Sequence, residues 1–258
     1  MLKYKGLLLI GLMVVNTGIT MAQEIVAHRG ASYIAPENTR AAVELGFELG
    51  AEAVEVDVYL TKDHKIIALH DRTTKRTGDA DYEVAETNSD ILRGLDVGSW
   101  KDQKYAGEKM PFLDELFEVV PRGRKLVIEV KSGPEILPYL EEIVAKSSIK
   151  DQLVLISFNL DVVKEGKKRM PFMPVYWLLG SFNQYSIAEA VKIAKENSFT
   201  GLDVNYNLVN PSFVKAMREA DLEIYVYTVN DREVARILRD LKVDAITTDR
   251  PKWLREGL

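Results

Sequence analysis

Four short stretches hold most of the residues that could do chemistry: His28-Arg29, Glu55-Val56-Asp57, His70-Asp71 and Glu129-Val130-Lys131. Glu55 and Asp57 are two residues apart in an apolar run, so on a strand both point to the same face. Two buried carboxylates side by side repel each other and resist leaving water. A shared cation removes both penalties, and Glu129 offers a third carboxylate at the end of another apolar run. Salt bridges to Arg29 and Lys131 would be the alternative use of the same acids. The sequence contains no cysteine, so any metal must be held by oxygen or imidazole, which points to a hard cation such as Mg²⁺ or Ca²⁺.

Three histidines occur, His28, His64 and His70. His28 and His70 each end an apolar run, whereas His64 lies in the polar turn Lys62-Asp63-His64-Lys65 and reads as surface. Two imidazoles at neighbouring strand ends suit a reaction that needs one proton removed and another delivered, as phosphodiester cleavage does. Arg29, with its planar fork, and Lys131, a point charge, are candidate phosphate clamps. Glu37 and Asn38, in the loop Pro36-Glu37-Asn38-Thr39, and Asp71, beside His70, are candidates to orient those groups, with Asn38 or Thr39 also capping the first helix.

Positioning such residues requires a scaffold that brings strand ends together. From residue 24 onward, strand-like runs at 24–27, 53–58, 66–69, 126–130, 153–157, 175–178, 202–204, 224–228 and 245–247 alternate with helical patterns. Repeated βα units predict a parallel sheet, and a chain of 258 residues has the length of one α/β barrel. Nine runs are one too many for eight barrel strands, and the link between 58 and 66 is too short for a helix. Either one crossover is abbreviated or one run lies outside the barrel. Residues 72–110 are polar and break the rhythm, which predicts a small insertion over one barrel end.

Residues 1–22 differ from the rest: Lys3 and Lys5 precede an apolar run, and Thr20-Met21-Ala22 leads into Gln23. This pattern predicts a secretory signal peptide cleaved after Ala22, with a mature domain spanning 23–258. Cleavage would take the net charge from −5 to −7. An acidic chain is a poor match for nucleic acid, and no stable membrane insertion is expected once the leader is gone. The oligomeric state cannot be read from these patterns.

The ordered set His28-Arg29-Gly30, Pro36-Glu37-Asn38-Thr39, Glu55-Val56-Asp57-Val58, Thr61-Lys62-Asp63, His70-Asp71, Glu129-Val130-Lys131, Ile156-Ser157-Phe158, Thr228-Val229-Asn230 and Thr247-Thr248-Asp249-Arg250-Pro251 resembles the glycerophosphodiester phosphodiesterase family. The resemblance implies a TIM-type (β/α)8 barrel with a small insertion after the third strand. It implies a metal held by Glu55, Asp57 and Glu129, acid and base roles for His28 and His70, and phosphate contacts from Arg29 and Lys131. It further implies a small glycerophosphodiester as substrate, with glycerol phosphate and an alcohol as products. Either water or a neighbouring substrate hydroxyl would serve as the nucleophile. Three positions depart from the usual pattern: Tyr227 stands where Trp is common, His64 where Gly is common, and Phe112 where Thr is common. Phe158, Trp177 and Tyr227, at or near strand ends, are expected to contribute at least two walls of the substrate mouth.

Overall fold

The computed structural model describes residues 23–258, so the predicted leader lies outside the described residues. Eight strands run parallel and close into a barrel: β1 (Glu24–Ala27), β2 (Ala53–Leu60), β4 (Lys125–Val130), β5 (Leu153–Ser157), β6 (Val175–Leu179), β7 (Gly201–Asn205), β8 (Glu223–Tyr227) and β9 (Ala245–Thr248). Closure comes from β1, which pairs with β2 on one side and β9 on the other. Helices α1 (Arg40–Glu48), α3 (Leu113–Phe117), α4 (Leu137–Lys146), α5 (Leu160–Arg169), α6 (Ile187–Glu196), α7 (Pro211–Glu219) and α8 (Arg232–Asp240) cross between successive strands, and α9 (Pro251–Arg255) follows the last one.

The ninth run is β3 (Ile66–Ala68), and it is not a barrel strand. It pairs antiparallel with the upper half of β2, from Leu60↔Ile66 to Val58↔Ala68. β2 is therefore longer than its neighbours: its lower part belongs to the barrel and its tip carries a hairpin. His64 sits in the hairpin turn at φ 60, a left-handed conformation that favours glycine. Because β3 runs downward, the chain re-enters the barrel mouth from above. The predicted insertion follows, built from three short 3-10 turns and α2 (Ser89–Gly94), with its own apolar cluster of Ile67, Leu69, Val84, Leu92, Leu95, Val97 and Met110.

Strand residues alternate between two cores, as a sheet buried on both faces demands. Val26, Ala53, Val127, Val154, Ile156, Tyr176, Leu178, Tyr225 and Ala245 form the inner cluster. Their neighbours in sequence, such as Val54, Val56, Leu126, Ile128, Leu155 and Trp177, pack outward against the helices. Near the N-terminal ends of the strands Tyr176 stacks on Tyr225 at 4.1 Å between ring centroids. The Tyr225 hydroxyl donates to Glu24, which also pairs with Lys125 at 2.7 Å. That end of the barrel is thus closed, and the polar residues left over gather at the other.

Candidate active site

Glu55 and Asp57, within β2, and Glu129, near the C-terminal end of β4, point inward from adjacent strands, with Asp57 and Glu129 in register. They are 2%, 0% and 7% exposed, and one carboxylate oxygen from each lies within 4.8 Å of the others. Some of their oxygens are satisfied. The backbone N–H of Arg29 donates to Glu55 Oε2 at 2.8 Å, and Asn38 Nδ2 donates to Asp57 Oδ2 at 2.8 Å. Lys131 Nζ lies 2.7 Å from Glu129 Oε1 and 3.2 Å from Asp57 Oδ1. Glu55 Oε1 is buried with no partner among the described residues, and Asp57 Oδ1 has only the Lys131 ammonium beside it. An acceptor left without a partner costs about 1–3 kcal/mol.

The charge state reports the same tension. Burial, reinforced by Asp57 and Glu129, pushes the Glu55 carboxyl well above its usual range. Burial and Asp57 raise Glu129 to about 7 against the pull of Lys131. Burial would raise Asp57 too, but Lys131 and Arg29 outweigh it and hold this carboxyl below its usual value. Three inward carboxylates, one with an unpartnered oxygen, that local cations do not fully neutralise fit a hard divalent cation.

Two histidines flank this trio, each fastened to an acid. His28 follows β1, and its Nδ1 lies 2.7 Å from Asp249 Oδ1, on the loop after β9. His70 follows β3, and its Nδ1 lies 2.6 Å from Asp71 Oδ1. Burial would raise Asp249, but hydrogen bonds from His28, Asn230 and Ser32 bring it down to about 2. Arg76 and His70 together hold Asp71 at about 2. Both acids are therefore ionised at neutral pH and can only accept, so each Nδ1 carries the proton. In the neutral ring this leaves a lone pair on each Nε2. Burial lowers His70 below the ordinary histidine value, against the opposing pull of Asp57 and Asp71.

Arg29 holds the centre together. Its backbone is left-handed (φ 55), and Gly30 beside it has φ 80. A Cβ on Gly30 would lie 2.4 Å from the Ala42 backbone, so only glycine lets the first helix approach. This turn aims the guanidinium at Glu37 (2.9 Å) and Asp57 (3.2 Å). Glu37 also accepts two hydrogen bonds from Arg76, at 2.8 Å each. Arg76 in turn reaches Asp71 at 2.7 Å, so the insertion is tied to both His70 and the loop after β1. Asn38, left-handed at φ 60, also accepts from the Asp57 backbone N–H at 3.0 Å. The cap of α1 is Thr39, whose side chain accepts from Ala42 N.

Of the three aromatics, Phe158 and Tyr227 lie together and Trp177 lies apart from them. Phe158 is 49% exposed above β5, and its ring meets Tyr227 edge-on at 5.9 Å. Both line the gap left by the missing side chain of Gly180, with Tyr227 Oη 3.8 Å from where a Cβ would stand. Trp177 does not reach the mouth. It is 2% exposed in the outer core, stacks edge-on against Tyr185, and donates Nε1 to the Phe158 carbonyl at 3.3 Å. Its strand neighbours Tyr176 and Leu178 take the inward positions, so alternation sends Trp177 to the helices.

Three polar residues near the site carry no sequence signal for a role. Asp249 lies in Thr247-Thr248-Asp249-Arg250-Pro251, but its tie to His28 crosses the barrel closure. Arg76 lies in the irregular insertion, where no periodicity locates it. Asp203, 2% exposed on β7, was detectable as a lone acid inside an apolar run. Burial and Glu129 raise its carboxyl well above the usual range, and its Oδ1 has no partner among the described residues.

Residues 28–253 match the model of the Glycerophosphoryl diester phosphodiesterase family. A glycerophosphodiester phosphodiesterase of Caldanaerobacter subterraneus is 32% identical over 89% of this chain and 95% of its own length. Among solved structures, an Oleispira antarctica phosphodiesterase in complex with the product sn-glycerol-3-phosphate superposes with a TM-score of 0.85 at 28% identity, covering 91% of this chain and 96% of the other. The glycerophosphodiester phosphodiesterase of Agrobacterium tumefaciens gives 0.79 at 27% identity, covering 91% and 99%.

Proposed function

Since the chain belongs to the Glycerophosphoryl diester phosphodiesterase family and is a phosphoric diester hydrolase, we propose that it cleaves glycerophosphodiesters to glycerol phosphate and an alcohol by metal-assisted acid–base catalysis with two histidines. The observation that carries the mechanism is the pair of imidazoles, each anchored at Nδ1 by an ionised aspartate, beside a buried trio of carboxylates. Support for the substrate class comes from the Oleispira antarctica relative, whose structure holds sn-glycerol-3-phosphate.

Glu55, Asp57 and Glu129 would hold one divalent cation, Mg²⁺ or Ca²⁺. When bound, such a cation polarises phosphate oxygens and offsets the charge that develops on them. Arg29 and Lys131 bind the same phosphate from the protein side and orient it. Their contacts to the acids make them rigid donors rather than free cations. One Nε2 takes the proton from the attacking hydroxyl, and the other ring, entering the step as the imidazolium with a proton on each nitrogen, gives its Nε2 proton to the departing alkoxide. The depressed basicity of His70 keeps its Nε2 unprotonated near neutral pH, which suits the accepting role. Phe158 and Tyr227 wall the pocket for the alcohol. Glu37, Asn38 and Asp71 hold Arg29, Asp57 and His70 in place.

We also infer that residues 1–22 are a leader removed after Ala22, which would deliver the domain 23–258 to the periplasm or the medium. A product assay tests the activity. Purified protein would be given glycerophosphocholine, glycerophosphoethanolamine and glycerophosphoglycerol, with and without EDTA, and products would be followed by ³¹P NMR. Glycerol phosphate formed only without chelator is the expected result. A transient cyclic phosphate would identify the substrate hydroxyl as nucleophile, and its absence would identify water. Full turnover in excess EDTA would overturn the metal.

A further inference from the structure

Beside the mouth, the outer face of the barrel carries an exposed aromatic patch that the proposed chemistry does not use. Tyr33 and Ile34 follow β1, Trp253 lies in α9, and Trp100 lies in the insertion; all four are exposed. The patch is continuous. The Arg250 guanidinium lies 3.6 Å from the Tyr33 ring centroid and 5.6 Å from that of Trp253. Lys101 donates to the Ser32 carbonyl at 2.6 Å and lies 5.6 Å from the Trp100 ring centroid, which joins the insertion to the rim. A shallow apolar groove of about 250 Å³ runs between Tyr33, Ile34, Leu49 and Trp253.

Charge sets this patch apart from the rest of the surface. The whole chain carries −5, yet Lys101, Arg250 and Lys252 have no acidic partner among the described residues, and they sit among the exposed rings. Nearby acids are mostly occupied: Glu256 pairs with Arg232, Asp102 faces Lys104, and Asp249 holds His28. Exposed Trp and Tyr interleaved with unpaired Lys and Arg match the headgroup zone of a bilayer, where rings sit at the interface and cations meet anionic lipid. The patch also abuts the site: Ser32 Oγ donates to Asp249 Oδ1, the oxygen that holds His28, and the Tyr33 N–H donates to the Asp249 carbonyl.

We propose that this rim, Tyr33, Ile34, Trp100 and Trp253 with Lys101, Arg250 and Lys252, docks the enzyme on an anionic lipid surface with its mouth beside the headgroups. The inference goes beyond the proposed hydrolysis and does not depend on it, because docking is read without catalysis. Purified protein would be sedimented with vesicles of phosphatidylcholine alone and of phosphatidylcholine mixed with phosphatidylglycerol. Binding only to the mixed vesicles, weakened by added salt, is expected. Lys252→Gln should weaken it about fivefold, the usual contribution of one interfacial cation. The double variant Tyr33→Ser/Trp253→Ser should weaken it further, and Trp100→Ser, distant in the chain, provides an independent variant should the double one fold poorly. None of these changes should alter turnover of water-soluble glycerophosphocholine. Equal binding to both vesicle types, no binding to either, or unchanged binding by all variants would overturn the proposal. So would concentration-dependent self-association abolished by the double variant, which would assign the patch to a second copy of the chain. Vesicle binding with no turnover of any soluble diester would instead overturn the proposed hydrolysis and leave the docking surface intact.

Discussion

His28 and His70 are each held at one ring nitrogen and, among the described residues, have no hydrogen-bond partner at the other, so a single substitution would remove a proposed proton-transfer group without emptying a core position. Both side chains are partly exposed. His28→Ala and His70→Ala are therefore expected to lower kcat by about 10²–10⁴-fold while melting near the wild-type temperature. A variant that melts much lower but keeps most of its turnover would assign that histidine a structural role. The carboxylates make a different forecast. In the metal-free protein Glu129 is raised to about 7, so between its unfolded value of 4.5 and 7 the unfolded chain loses its proton while the folded one keeps it. Metal-free stability contributed by this group is thus present at acid pH and lost as pH climbs towards 7. Cation binding must expel that proton, so affinity should rise with pH through about 7 and then level off. At about a hundredfold excess over Kd, the cation should add about 2.7 kcal/mol of stability. For a domain of this size that corresponds to a Tm rise of roughly 5–10 °C. Glu55→Gln should abolish the rise, yet without metal it should not lower Tm, because Gln mimics the neutral acid that burial favours. Differential scanning calorimetry with Mg²⁺ and with Ca²⁺ reads both effects apart from activity.

Which way a side chain faces at a strand end decides whether it stands at the mouth or in the scaffold. Phe158, after β5, and Trp177, in β6, illustrate the two outcomes. Trp177 is buried against the helices and braces the Phe158 carbonyl from behind, whereas Phe158 stands at the mouth. Trp177→Ala is expected to cost about 3–5 kcal/mol, as losing a large buried ring does. The KM of the protein that remains folded should change little. Phe158→Ala should do the reverse, raising KM with little change in Tm. Tm and KM measured on both variants check this, and a raised KM with unchanged Tm for Trp177→Ala would place that ring in the pocket after all. The hairpin of β2 and β3 is another element-level decision. Its downward strand delivers His70 and the insertion to the mouth, where Arg76 ties them to Glu37.

For the whole molecule, the barrel is closed at one end by stacked Tyr176 and Tyr225 and left polar at the other. Buried charge is thereby confined to the end where a ligand can meet it. Among the described residues, no helix is long and apolar enough to cross a membrane. If the first 22 residues are a leader, intact-mass and N-terminal sequencing of exported material should begin at Gln23. Mature protein that retains Met1 would mean an anchor instead.

Local pattern was enough to determine the βα rhythm, the parallel barrel and the shared face of Glu55 and Asp57. Strand and helix periodicities are set by short-range backbone geometry, and residues two apart on a strand cannot do otherwise than align. The placement of His28, His70 and Glu129 at the ends of apolar runs was legible for the same reason. Tertiary structure alone decided the rest. Nine strand-like runs did not reveal that 66–68 folds back antiparallel, because a three-residue apolar stretch has no direction until it finds a partner. A strand buried on both faces hides which parity points inward, so Trp177 could not be told from Tyr176 until the barrel closed. Asp249 meets His28 across 221 positions of chain, a contact that exists only because β1 pairs with β9. Arg76 reaches Glu37 and Asp71 out of an irregular segment whose path is set by packing on β3 rather than by any repeat in its own sequence.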